Sequence, residues 1–160
     1  ETKANKKIYQ AIKKQYQNAE YNEPANIIAI KQESIKTKKG KILIFNETAV
    51  EVFGYTEDDA LNHLNIRDIY PDKIAYEVMK KLRSTETGGK GKLRSYQVNV
   101  LDKNGEKIPI SLNASIVYEG KNEVATIGFF HDLREEFRIK EKMEKTERIF
   151  TINHSSPVLE

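Results

Sequence analysis

The residues able to do acid–base or metal chemistry are few and scattered. Of the three histidines, His63 stands between Asn62 and Leu64, His131 ends an apolar run beside Asp132, and His154 precedes Ser155 and Ser156. No cluster has the spacing of a metal site, and no glycine-rich phosphate loop or nucleophile–base–acid set occurs. The adjacent carboxylates Asp58 and Asp59 fall at the start of a predicted helix, where the positive end of the helix accounts for them. Cysteine is absent, which removes thiolate nucleophiles, thiolate metal ligands and disulfides. The expected chemistry is therefore recognition rather than catalysis.

Composition narrows the partners. The 160 residues suggest one domain with attached flanks. A balance of 27 basic against 24 acidic residues gives no argument for nucleic acid. Charged residues make up 32% of the chain, and no apolar run reaches the ~18 residues of a membrane span, so no membrane contact is expected. Lys36, Lys38, Lys39 and Lys41 surround Gly40 between two apolar runs and read as a solvated hairpin loop. With no signal-peptide core in Glu1–Gln10, the expected location is cytoplasmic.

Periodicity divides the chain into residues 1–23, 24–132, 133–150 and 151–160. In the first part Ile8, Ile12, Tyr16 and Ala19 mark one face of an amphipathic helix, which Pro24 ends. The second part mixes strands and helices. Ile27, Ile28 and Ile30 form a short strand, and Lys41–Phe45 another. Asn46 reads as a helix N-cap and Gly54 as the left-handed stop of that helix. Thr56 opens the next turn, and Pro71 fits the first turn of a longer helix reaching Arg83. Tyr96, Val98 and Val100 alternate on one strand, Ile108 to Ile116 on the next, and Val124–His131 is the last. Asn104-Gly105 signals the hairpin between the first two. In the third part Ile139, Met143, Thr146 and Phe150 recur every three or four residues, as in a coiled-coil seam.

Strand, strand, short helices, a longer helix, a three-stranded meander and an exit helix form an order that resembles the PAS family. Ile44-Phe45-Asn46-Glu47-Thr48-Ala49 through Phe53-Gly54-Tyr55-Thr56 is similar to the family's run of apolar strand, Asn, Ala and Gly-Tyr-Ser/Thr. Asp102-Lys103-Asn104-Gly105 resembles its hairpin, and Asp132-Leu133-Arg134-Glu135 its exit motif. The resemblance covers about Asn26 to Phe150. It implies an α+β PAS fold, with a five-stranded antiparallel sheet carrying short helices on one face and flanking helices at both ends. A segment like a second PAS entry follows at Thr146–Phe150 and Ser155–Val158, and His154 lacks the context of a phosphoacceptor.

The resemblance also implies a function. A sensory module of a larger signalling protein, such as a sensor histidine kinase of a two-component system, would receive a small ligand or partner and relay its state through Asp132 and Leu133 into the exit helix. A ligand-free dimerisation scaffold is the alternative. The pocket is expected to be lined by Tyr76, Met79, Tyr96, Val98, Ile110, Leu112 and Phe130. The cofactor is unknown, and two comparisons speak against flavin. The light-sensing subgroup's cysteine motif aligns over Leu64-Asn65-Ile66-Arg67, where Ile66 replaces the reactive cysteine, and its polar sheet contacts fall near the apolar Ile110 and Phe130. Haem is disfavoured because Pro71–Arg83 contains no histidine. A homodimer through the flanking helices is expected. Ile127 and Phe129 point to the outer face of the sheet, and burying such a phenylalanine is worth roughly 1.5–3 kcal/mol. Ile8, Ile12 and Tyr16 are expected to cover that face, from the same chain or a partner, while Ile139, Met143 and Phe150 pack the exit helix.

Overall fold

A computed structural model of the chain describes residues 6–7, 10–12, 14, 26–31, 40–86 and 89–154. Ile8, Tyr16, Ala19, Pro24, Lys36, Lys38, Lys39, Ser155 and Ser156, named above, lie outside the described residues. Strands β1 (Asn26–Lys31), β2 (Ile42–Phe45), β3 (Lys92–Leu101), β4 (Lys107–Glu119) and β5 (Asn122–Asp132) form one sheet in the order β2-β1-β5-β4-β3, every pair antiparallel. Helices α1 (Glu47–Phe53), α2 (Glu57–Asn62), α3 (Ile66–Ile69) and α4 (Ile74–Arg83) lie between β2 and β3, and α5 (Arg134–His154) leaves after β5.

The caps follow local chemistry. Asn46 Oδ1 accepts the Ala49 N–H at 3.1 Å, satisfying one of the donors a helix start leaves free. Gly54 closes α1 at φ +78 and donates to Val50 O at 2.9 Å, and Thr56 Oγ1 accepts from Asp59 N–H at 3.1 Å. Pro71 departs from the expectation. The helix begins at Ile74, because Asp72 takes the left-handed φ of +46 and the Ile74 N–H bonds Pro71 O at 3.1 Å. The hairpin at Asp102-Lys103-Asn104-Gly105 forms as expected. Leu101 pairs with Lys107, and Asp102 Oδ1 accepts from both Asn104 and Glu106 N–H at 2.9 Å, with Gly105 at φ +78.

The sheet separates two apolar clusters. The inner one joins Ile108, Ile110, Leu112, Ala114 and Ile116 of β4 to Phe45, Phe53, Ile69, Val78, Leu82 and Phe130. The outer one contains Leu43, Val117, Ala125, Ile127 and Phe129, and Ile12 of the same chain is buried among them. Nearby, Lys7 Nζ stands 3.6 Å from Glu119 at the surface.

Strand β3 is an edge strand and carries an irregularity. Ser95 has φ +48, the register with β4 shifts between Leu93 and Tyr96, and the Ser95 N–H turns to Asn113 Oδ1 at 2.8 Å. At the start of β3, Gly91 holds φ +79, donating to Leu82 O at 2.7 Å and accepting from Ile116 N–H at 2.8 Å. A Cβ there would stand 2.9 Å from Tyr118 Oη. Tyr118 is partly exposed and can swing aside, so the left-handed backbone dominates the cost, about 1–2 kcal/mol. Gly91→Ala is expected to lower the melting temperature by about 4–8 °C, and adding Tyr118→Ala should not restore it.

Candidate functional site

A cavity of about 580 Å³ lies between the inner face of the sheet and helices α3 and α4. Each wall comes from a different element. Val100, Ile110, Leu112, Ala114, Gly128 and Phe130 supply the sheet side, while Ile66 and Ile69 of α3 and Ala75, Val78 and Met79 of α4 lie opposite. Phe53 closes one part of it, held edge-on to Phe130 with ring centroids 5.1 Å apart. Helix α3 is placed by reciprocal capping, in which Asn65 Oδ1 accepts from Arg67 N–H and Asp68 Oδ2 from Asn65 N–H, both at 2.9 Å.

The lining is apolar with polar groups at defined places. Thr126 is the buried polar side chain among the described residues, and its hydroxyl donates to Met79 Sδ at 3.9 Å. Tyr70 also lines the cavity. Burial first, and then the neighbouring Tyr96, push its phenol above the ordinary tyrosine range although part of the residue reaches solvent. Three exposed cations, Arg67, Lys73 and Arg83, and one exposed carboxylate, Asp72, also line the cavity. Arg83 makes a two-pronged bond to Glu123, at 3.0 and 3.3 Å, which ties the end of α4 to β5.

Of the residues expected in the pocket, Met79, Ile110, Leu112 and Phe130 come together in the cavity. Tyr76 lines it too, but at 72% exposure it belongs to the rim and not the interior. Tyr96 and Val98 require correction. They line a neighbouring groove that shares Ile110, the register partner of Val98, with the cavity, and Lys81 Nζ lies 5.2 Å from the Tyr96 ring centroid. The sequence reading missed Phe53, Thr126 and the three cations. Alternation reports the inward face of a strand but not where along that face a space remains.

The exit from the domain is ordered by hydrogen bonds. Asp132 Oδ1 accepts from Arg134 N–H at 3.0 Å, and its Oδ2 stands 2.7 Å from the Arg134 guanidinium. Leu133 N–H bonds Pro109 O at 2.9 Å, and Phe137 N–H bonds Leu133 O at 3.0 Å. His131 Nε2 contacts Glu136 Oε1, bridging the strand end to the first helical turn. Helix α5 then runs to His154, four residues past the expected boundary at 150. Ile139, Met143 and Phe150 are exposed along it.

Burial alone would raise the Asp132 carboxyl, but the Arg134 hydrogen bonds and charge outweigh it, helped by His131, and hold it below its ordinary value. A depressed carboxylate stabilises above its unfolded pKa, and the contribution is lost as pH falls through the lower folded value. The α5 root is therefore expected to loosen in acid below about pH 4. Asp132→Asn should remove this acid response and cost about 1 kcal/mol at neutral pH, the pair being partly exposed. Melting curves across the acid range check both.

The family model described as a PAS domain matches residues 27–135. No curated protein matches the sequence. Among solved structures, a PAS domain of a Colwellia psychrerythraea protein has a TM-score of 0.58 at 18% identity, covering 78% of this chain and 98% of its own. The light-oxygen-voltage domain of an Erythrobacter litoralis blue-light activated histidine kinase gives 0.52 at 15%, covering 70% and 98%. A light-oxygen-voltage domain studied with a flavin analogue gives 0.55 at 18%, covering 88% and 96%. At these identities the likeness is one of fold. It nonetheless overturns the expectation against flavin, since the fold shared here is the one found with a flavin analogue. The physical reason is that Ile66 in place of cysteine removes a covalent bond, and the apolar Ile110 and Phe130 remove polar contacts, but neither closes the cavity on which non-covalent binding depends.

Proposed function

Because the chain belongs to the PAS domain family, we propose that it is the signal-input module of a larger signalling protein, binding a small molecule between sheet and α4 and passing its state into α5. The observation that carries this reading is the cavity, with an apolar interior, the Thr126 hydroxyl in its wall, and a rim where cations outnumber carboxylates. That distribution suits a ligand with a flat apolar body and an anionic end. Flavin mononucleotide is flat, with an apolar dimethylbenzene side, a polar pyrimidine edge and a phosphate end, and is the first candidate to test.

The relay runs through Asp132 and Leu133, whose bonds to Arg134 and Pro109 fasten α5 to the domain. Two copies associate along the exposed Ile139, Met143 and Phe150 seam, and a histidine kinase in the cytoplasm is the output that best suits a rigid helical exit. The module itself carries no catalytic step in this reading.

Native and denaturing mass spectrometry of the purified protein, with its visible absorption spectrum, tests the proposal. A retained mass, or saturable uptake of flavin mononucleotide, is the expected result. A dimer without retained mass that takes up neither this flavin nor other planar anionic ligands would replace the sensor by a ligand-free scaffold.

A further inference from the structure

The chain offers an oxidant few groups to attack. Cysteine and tryptophan are absent, and there are two methionines, Met79 and Met143. Met143 is 61% exposed on α5. Met79 is partly buried on α4, where it packs against the inner cluster and lines the cavity. The cavity has a mouth to water, since the exposed Asp72, Lys73 and Tyr76 line it too. Tyr76 and Met79 are three residues apart on one face of α4, so Met79 lies just inside that rim.

The sulfur is also held. Thr126 sits on β5, paired with Ile30 of β1 on one side and Ile116 of β4 on the other. The sheet therefore fixes its position, and its hydroxyl donates to Met79 Sδ at 3.9 Å. Thr126 is 7% exposed and belongs to the same cavity wall. A thioether sulfur carries two lone pairs and is a weak acceptor. The Thr126 contact covers one lone pair and leaves the other for attack.

We propose that Met79 is an oxidation site, where hydrogen peroxide entering the cavity forms one sulfoxide epimer in preference to the other. The uncovered lone pair takes one peroxide oxygen, so an S–O bond forms as the O–O bond breaks. Sulfur is oxidised by two electrons, and the other oxygen is reduced and leaves as water with both peroxide protons. The product is a polar, chiral side chain in place of a flexible apolar one, and sulfoxide reductases can restore it. A strong acceptor then stands in an apolar wall between the sheet and α4, which weakens their packing. The step needs no bound ligand and does not rest on the sensor reading.

Timed exposure of the full chain to hydrogen peroxide, then quenching and digestion, is read by mass spectrometry of the Met79 and Met143 peptides. A methionine reached only through global unfolding would lag by about 10³-fold or more. Met79 is expected to oxidise within about tenfold of the rate of Met143. Epimer-specific sulfoxide reductases applied to the peptides should find one epimer in excess at Met79 and near-equal amounts at Met143. Thr126→Val removes the hydroxyl but keeps a β-branched side chain on the strand, and should bring the Met79 ratio toward that of Met143. The oxidised protein should melt about 2–4 °C lower. Met79→Leu should remove that fall, and Met143→Leu should keep it. Oxidation of Met79 that waits for unfolding overturns the proposal. So do equal epimers at Met79, a ratio that survives Thr126→Val, or a fall that survives Met79→Leu. If Thr126→Val does not fold, the unsubstituted chain and the Met79→Leu melt decide.

Discussion

Phe53→Ala is expected to destabilise the domain by about 3–5 kcal/mol, the largest effect of the truncations to alanine. The ring is 1% exposed and meets Phe45 at 5.9 Å and Phe130 at 5.1 Å between centroids. Its neighbourhood also cannot collapse onto the vacated volume, because Phe53 already borders the cavity. The lost space would simply join it. At this chain length the loss corresponds to a fall in melting temperature of about 10–20 °C. Phe53→Leu keeps most of the volume and should cost about a third as much. Thermal melts of the two variants check the ratio. Equal losses would mean that the aromatic contacts, not the volume, dominate.

The second large effect lies on the other side of the sheet. Ile12 is 2% exposed and caps the cluster of Leu43, Val117, Ala125, Ile127 and Phe129. Ile12→Ala should cost about 2–4 kcal/mol. Ile12→Asp should go further by placing a charge among buried apolar groups. A chain begun at Glu23 should expose Ile127 and Phe129 and then lose solubility or associate. Light scattering together with chemical denaturation separates the outcomes. If the shortened chain keeps the association state and stability of the full chain, the cover is dispensable.

The expectations that held are those whose causes are local. Asn46 accepts from an amide three residues on, and Gly54 is needed because the chain must turn left-handed at that residue. The alternation from Ile108 to Ile116 has one solution on a pleated strand. Pro71 misled because a proline fits a helix start and also the turn before one. What decided the matter was Asp72, whose positive φ no composition rule demands. Tyr96 and Val98 have the inward phase, but the place of the cavity depends on how α3 and α4 cross the sheet. The rim cations were illegible for the same reason. Arg67, Lys73 and Arg83 are spread over 17 residues of chain and meet only around the folded cavity. The flavin expectation failed differently, by treating the loss of the reactive cysteine at Ile66 and of polar contacts near Ile110 and Phe130 as the loss of a binding site, although the shared fold is found with a flavin analogue.

The kink at Ser95 has a consequence for the protein's behaviour in a crowded solution. A flat outermost strand offers its free amides and carbonyls as a template on which other chains can add, the first step toward fibrils. Here the ladder is interrupted, the Ser95 N–H is already committed to Asn113, and the exposed Lys92 and Arg94 flank the break. An incoming strand would find the hydrogen-bonding rhythm broken and two like charges in its path. The irregularity thus protects this border of the sheet against accidental growth.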